Sequence, residues 1–142
     1  MMKRPLHVLI AFATLAAASA SLPATASADS CWDHNGSVMR LQAEGNRRWF
    51  TYERPKGSLR AAGVRRGTLL FNGRKSGDWY SGTARRFSRH CPGDPLEYHV
   101  EGPVSRSQTR VTVRGTREIY DQCEPTGEYT EDTLVFTYLR QC

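Results

Sequence analysis

The feature that most constrains this chain is its set of four cysteines, Cys31, Cys91, Cys123 and Cys142. An even number of cysteines in a small exported domain is typical of disulfide bonds. Free or metal-binding thiols fit poorly, because the chain has no C-x-x-C pair and the cysteine spacing matches no zinc pattern. We therefore expect two disulfides, and we expect neither a metal nor a cofactor.

Residues 1–28 have the pattern of a cleaved signal peptide, which explains how the cysteines reach an oxidising compartment. Two basic residues at positions 3 and 4 precede an apolar segment at 6–20, and an Ala-Ser-Ala cleavage site ends at Ala28. The apolar segment is shorter than the roughly 20 residues that span a bilayer, so a membrane anchor is disfavoured. We expect a mature chain of residues 29–142, periplasmic or secreted, with no transmembrane segment and the length of a single domain.

The mature sequence is patterned as short β-strands. Gly, Pro and Asn interrupt it often, and no stretch keeps a helical period. Alternating apolar residues mark one strand face in several segments, as at Leu134, Phe136 and Tyr138. The predicted strands are 37–43, 47–54, 68–72, 79–87, 96–102, 109–120 and 133–139.

Short strands joined by short links predict an all-β fold, a single small antiparallel meander that closes into a β-barrel and so removes exposed edges. Only residues 58–64 have room for a turn of helix, and Gly115 inside the longest strand indicates a bulge or bend. The interior of a barrel of seven or eight strands has room for little beyond side chains.

The meander also predicts how the cysteines pair. A hairpin that turns near residues 105–106 brings Cys91 beside Cys123. Antiparallel pairing of the first and last strands, which closes the sheet, brings Cys31 to Cys142. We therefore expect disulfides Cys31–Cys142 and Cys91–Cys123.

Charge is distributed unevenly along the mature chain. Removing Lys3 and Arg4 with the leader leaves 18 Lys and Arg against 14 Asp and Glu, a net charge of +4. Residues 31–90 hold 13 basic and 4 acidic residues, whereas residues 91–142 hold 5 and 9. One interpretation is an electropositive face for an anionic partner. The other is that the two halves neutralise each other across neighbouring strands. The candidate face comprises Arg47, Arg48, Arg65, Arg66, Arg74, Lys75, Arg85 and Arg86.

Aromatic residues among these arginines resemble a platform for single-stranded nucleic acid. Export argues against nucleic acid as a partner, and Trp49 and Tyr52 lie on opposite strand faces, so at least one of them belongs to the core. The partner that we expect is an anionic component of the cell envelope or a protein.

No residue pattern identifies a catalytic site. Asp33, His34 and Ser37 suggest a triad, but neighbours on an extended chain point to opposite faces, so Asp33 cannot orient His34. We expect a turn here that leads into the first strand, with Trp32 capping one barrel end. Carboxylates at 124–132 suggest glycoside hydrolysis, but we expect a solvated acidic loop. His90 and His99 are isolated in the sequence, and their spacing does not determine whether they could join His34 in a metal site.

Residues 31–37, 63–71, 80–84 and 132–138 resemble a group of small, exported, cysteine-containing proteins of Gram-negative bacteria that has no assigned activity or catalytic residues. The resemblance covers nearly the whole mature domain. It implies an exported, bacterial, cysteine-bonded domain and no particular function.

The sequence therefore predicts an exported, non-catalytic module that contacts an anionic envelope component or protein through its basic face. The first alternative is a barrel that binds a small apolar ligand, and the less favoured one is a glycan hydrolase. A filled barrel interior favours surface recognition, and a hollow one favours a small ligand. The oligomeric state stays open.

Overall fold

The computed structural model describes Ala13, residues 15–19 and residues 29–142, so most of the predicted signal peptide lies outside the described residues. Residues 29–142 form a closed barrel of eight antiparallel strands, in which each strand pairs with the next and the last pairs with the first. The strands are β1 (Ser30–His34), β2 (Ser37–Glu44), β3 (Arg47–Arg54), β4 (Leu69–Ser76), β5 (Trp79–Arg86), β6 (Leu96–Pro103), β7 (Arg110–Asp121) and β8 (Glu124–Gln141).

The predicted all-β class, antiparallel meander and barrel closure are confirmed. Within residues 29–142, the one short 3₁₀ helix, Gly57–Ala62, lies where a helical turn was expected. Among the described residues, no helix is long and apolar enough to cross a membrane. All eight strands of the barrel and both disulfides lie within residues 29–142, so the closed barrel includes no residue before Asp29.

Two expectations about strands are wrong. Residues 30–34 form β1 rather than a turn, and the turn is Asn35-Gly36, whose φ angles of 50° and 86° are those of a two-residue hairpin. The acidic segment is not a loop either, because β8 starts at Glu124. Its first six residues, 124–129, are exposed on both faces and are held by pairing with β7 rather than by burial.

The middle of the barrel is filled. Phe50 and Phe136 stack with their ring centroids 3.9 Å apart, and each fully buried ring contributes roughly 1.5–3 kcal/mol through burial. At least one of Trp49 and Tyr52 was expected in the core, and Tyr52 is the buried one. The largest fully buried side chains are Phe50, Phe71, Phe136, Met39, Val100, Val111 and Val113.

The barrel closes through β1 and β8, and the Cys31–Cys142 disulfide joins these two strands. The predicted disulfide pairing is confirmed. The strand that closes the barrel against β8 is β1, however, and not the predicted first strand at 37–43, which is β2. Trp32 does not cap the barrel. It is 4% exposed and packs edge-on against Phe50 and Tyr138 in the core.

The second disulfide, Cys91–Cys123, is also confirmed. It ties the connection between β5 and β6 to the β7–β8 turn. On the β8 side no bulge lies at Gly115, because the register there shifts only between Glu118 and Tyr120. Instead, a Cβ at Gly115 would overlap the His99 carbonyl oxygen of β6, so close strand approach explains the glycine.

The strand order gives the barrel two distinct ends. The connections β1–β2, β3–β4, β5–β6 and β7–β8 lie at one end, which we call the pocket end. The turns β2–β3, β4–β5 and β6–β7 lie at the other, together with Asp29 and Cys142, and we call it the far end.

Candidate functional site

A cavity of about 150 Å³ lies at the pocket end, above the filled core. Strands β1, β2, β3, β4, β5, β6 and β8 and the connections β1–β2, β3–β4 and β5–β6 contribute to its wall. The lining residues are His34, Asn35, Ser37, Tyr52, Lys56, Leu59, Leu70, Arg85, Arg86, Phe87, Tyr98, Asp132 and Leu134.

The β3–β4 and β5–β6 connections contact each other and contribute residues to the outer wall of this cavity. The 3₁₀ helix places Leu59 over it and ends at Gly63, whose φ of 81° suits glycine. Gly93 of the β5–β6 connection donates its N–H to the Ala62 carbonyl at 3.2 Å, and a Cβ at Gly63 would touch the Gly93 backbone. The close contact between these connections therefore fixes the roof of the cavity.

His34 supplies a directed polar group. Its Nδ1 donates to the Val135 carbonyl oxygen at 2.9 Å, and its ring stacks on Phe136 at 4.7 Å. Because Nδ1 carries the proton, Nε2 is an acceptor in the neutral ring, and the Asn35 side-chain amide donates to it at 3.5 Å. Burial lowers the pKa of His34 from its ordinary value of 6.5, so the neutral form prevails near pH 7.

Tyr52 supplies a second polar group. Burial raises the pKa of its hydroxyl to about 12, so it stays protonated. Within residues 29–142 this hydroxyl makes no hydrogen bond, whereas the Ser37 hydroxyl is engaged by the Lys56 N–H at 3.0 Å. Tyr52 therefore has both donor and acceptor capacity left for a ligand.

Asp132 is the carboxylate of the cavity wall, and it is neutralised from within the barrel. Arg117 Nε lies 2.6 Å from Asp132 Oδ2, and the Tyr98 hydroxyl donates to the same oxygen at 3.0 Å. Burial, with the nearby Asp132 charge, raises the pKa of Tyr98. Asp132 is thus committed to an internal network rather than free to act as a general base.

The rim of the cavity is electropositive. Arg85 pairs with Glu97 at 3.4 Å and with Asn72 at 2.7 Å. Lys56 and Arg86 are exposed and have no carboxylate within 4.0 Å among residues 29–142. Two uncompensated cations at the mouth favour a negatively charged group there.

A larger cleft of about 770 Å³ adjoins the cavity and shares Arg86 and Phe87 with it. The Cys91–Cys123 disulfide forms part of its wall. An inner cavity and an outer cleft therefore meet at Arg86 and Phe87.

The predicted basic face is divided between the two ends of the barrel. Arg65 and Arg66 lie in the β3–β4 connection and Arg85 and Arg86 at the end of β5, all toward the pocket end. Arg66 is held by Glu53 at 2.8 Å. Arg47, Arg48, Arg74 and Lys75 lie toward the far end. The Arg85–Glu97 pair joins the basic and acidic halves, as the alternative interpretation expected.

Other sequence candidates are dispersed. Asp33 and His34 alternate along β1, and His34 is turned inward. His99 is exposed on β6, and the carboxylates of Glu124 and Glu128 are exposed at the start of β8. Over the described part of the chain, no three His, Cys, Asp or Glu side chains are grouped to hold a metal ion.

Sequence reasoning missed Tyr98, Arg117 and Leu59 as pocket residues. A signal existed for Arg117 and Asp132, which continue the inward alternation of Val111, Val113 and Leu134 with polar residues. A charged residue at an inward position indicates a buried partner. Leu59 carried no such signal, because its position depends on how the connection folds back.

No model of a protein family and no curated protein matches this sequence. Among solved structures, the crystal structure of the rhizavidin–biotin complex is similar, with a TM-score of 0.53 and 13% sequence identity. The similarity covers 82% of this chain and 95% of that one. At this level of identity, the comparison shows that the chain shares the barrel fold of rhizavidin.

Proposed function

We propose that this chain is a small-ligand-binding barrel that holds a compact ligand in the cavity at its pocket end. The observation that carries the proposal is a polar cavity above an otherwise filled core, whose lining includes the unbonded hydroxyl residue Tyr52 and the neutral, oriented ring of His34. Ligand sites of this kind are concave and contain a few placed polar groups. The similar rhizavidin structure is a biotin complex, which supports a small ligand but does not identify one.

The cavity favours a ligand with a compact polar head. Its volume of about 150 Å³ corresponds to roughly five water molecules at ~30 Å³ each. Lys56 and Arg86 at the rim favour a carboxylate, phosphate or sulfate group next to that head. The polar groups of the lining favour a polar head over the small apolar ligand that was the alternative from the sequence, and the outer cleft can take the rest of a longer molecule.

Binding can be tested by native mass spectrometry and thermal shift of the oxidised barrel with a panel of small anionic compounds that includes biotin. Tyr52→Phe removes one hydrogen bond and should weaken a bound ligand about three- to tenfold. Tyr129→Phe, on the exposed start of β8, is the matched control and should bind normally. Equal binding by both variants would overturn the assignment of the cavity.

We also propose that the chain acts outside the cytosol. Two disulfides fit an oxidising compartment. The signal peptide, the periplasmic or secreted location and the resemblance to exported Gram-negative proteins stay predictions. Sequencing the amino terminus of protein from its native cells should find Asp29 first, and an intact leader on the bulk of the protein would contradict export.

A further inference from the structure

Two arginines face each other at the far end of the barrel. Arg47 of β3 and Arg74 of β4 are direct register partners. Phe50 and Phe71, paired three positions further along, point into the core, so Arg47 and Arg74 point outward. Like charges directly opposite each other destabilise a sheet, so this pair has no evident structural benefit.

Neutral groups, not carboxylates, hold these two arginines. The Arg47 guanidinium lies 4.8 Å from the centre of the Trp49 ring, and Arg74 donates to Asn46 Oδ1 at 3.0 Å. Within residues 29–142 neither has a carboxylate within 4.0 Å. Arg40, by contrast, binds both Asp29 and Glu53 at 2.9 Å. Arg47 and Arg74 thus keep a positive charge that no carboxylate neutralises, as Arg86 does at the pocket end.

Nearby acids do not cancel this charge. Glu44 faces Arg47 across the β2–β3 turn without forming an ion pair, and Asp78 accepts a hydrogen bond from Gln108. Arg48 and Lys75 follow these arginines in the sequence but alternate toward the inner face, so they add positive charge at this end of the barrel without sharing the outer surface. The local charge is therefore positive.

An exposed tryptophan lies beside the arginines. Trp79 of β5 is 45% exposed and is the register partner of Ser76, two residues from Arg74. Arg47, Trp49, Arg74 and Trp79 therefore share the outer surface of three adjacent strands, and we call these four residues the basic corner. The groove beside Trp49 is lined by Asp29 and Glu44, so it does not suit a small anion.

We propose that the basic corner docks the barrel on an anionic membrane surface. Tryptophan prefers the level of the lipid headgroups, and arginines bind lipid phosphates. A convex sheet surface suits a plane better than a small molecule. In this orientation the pocket end points away from the lipid and stays open to ligand, so this docking is independent of the proposed ligand site.

The experiment is co-sedimentation of the oxidised barrel, residues 29–142, with phosphatidylcholine vesicles that contain or lack phosphatidylglycerol. Binding should require phosphatidylglycerol and weaken with salt. The double variant Arg47→Gln/Arg74→Gln should partition about thirtyfold less. The control Arg110→Gln/Arg114→Gln makes the same charge change at exposed positions of β7 and should bind like the unaltered barrel.

A third variant, Trp79→Ser, should also bind less. The tryptophan fluorescence of the unaltered barrel should shift to the blue on vesicles only when phosphatidylglycerol is present, and the shift should be smaller in Trp79→Ser. Equal losses in the two arginine double variants would show a net-charge effect and overturn the proposal. Heparin retention that depends on Arg47 and Arg74 without any vesicle binding would also overturn it, in favour of an acidic polysaccharide.

Discussion

Arg117 Nε lies 2.6 Å from Asp132 Oδ2 inside the pocket end, and the two side chains are only 12% and 20% exposed. The pair lies across adjacent strands, β7 and β8, with the Tyr98 hydroxyl on the same carboxylate oxygen. Removing one member of such a pair leaves the other charge partly buried without a partner. The pair therefore links the stability of the barrel to the chemistry of the cavity.

Arg117→Met should lower the free energy of unfolding by about 2–4 kcal/mol, less than a fully buried pair because both groups retain some solvent. The double variant Arg117→Met/Asp132→Leu should lose less than Arg117→Met alone, because no charge is then stranded. Urea denaturation of the two single variants and the double variant measures this coupling. Strictly additive losses would contradict the inferred pairing.

His34 predicts a pH dependence of stability. Burial lowers the pKa of His34 in the folded chain, whereas the unfolded chain takes up a proton at its ordinary pKa of 6.5. Stability from this residue is complete above pH 6.5 and falls as the pH drops toward the folded pKa, because the unfolded state then binds more protons. Urea midpoints at about pH 7.5 and about pH 5 should differ less in His34→Gln than in the unaltered chain. An unchanged difference would show that other groups cause it.

The barrel was predictable because its signals are local. Turn residues and two-residue alternation place β3 at the predicted bounds, and the meander yields both disulfides. The Asn35-Gly36 turn also carried a hairpin signal, but β1 was missed because polar residues flank Trp32 on a short segment. The start of β8 was missed because exposed charged residues are typical of a loop. Backbone pairing with β7 nevertheless holds this segment in an extended conformation.

The cavity was not predictable from local signals. Leu59 and Phe87 reach it only because the β3–β4 and β5–β6 connections fold against each other at Gly63 and Gly93. The division of the basic face has the same origin, since strands alternate in direction and residues near in sequence lie at opposite ends. Such placement depends on tertiary packing, which residue spacing does not encode.

Gly115→Ala should strongly destabilise the barrel. The added Cβ would overlap the His99 carbonyl oxygen, a backbone atom that cannot move without breaking the β6–β7 sheet. We expect a loss of about 3 kcal/mol or more in urea unfolding, at the upper end of overpacking effects. Gly57→Ala is the control, because no atom lies within 4 Å of its added Cβ, and it should be neutral or slightly stabilising. Similar losses in both variants would contradict the close strand approach.

The Cys91–Cys123 disulfide should matter to both stability and ligand binding. Its ends are 32 residues apart, and in the chain-entropy view its loss costs up to about 4 kcal/mol, against about 5 for Cys31–Cys142 with its separation of 111. Urea unfolding of Cys91→Ser/Cys123→Ser and Cys31→Ser/Cys142→Ser tests this order.

The two double variants should differ more in function than in stability. Cys91–Cys123 forms the wall of the outer cleft, so its loss frees the β5–β6 connection and should weaken any ligand that reaches beyond Arg86 and Phe87. The basic corner lies at the opposite end on other strands, so vesicle binding by the same variant should not change. If ligand and vesicle binding fell together, the disulfide would be supporting the whole barrel rather than the cleft, and the two surfaces would not be independent.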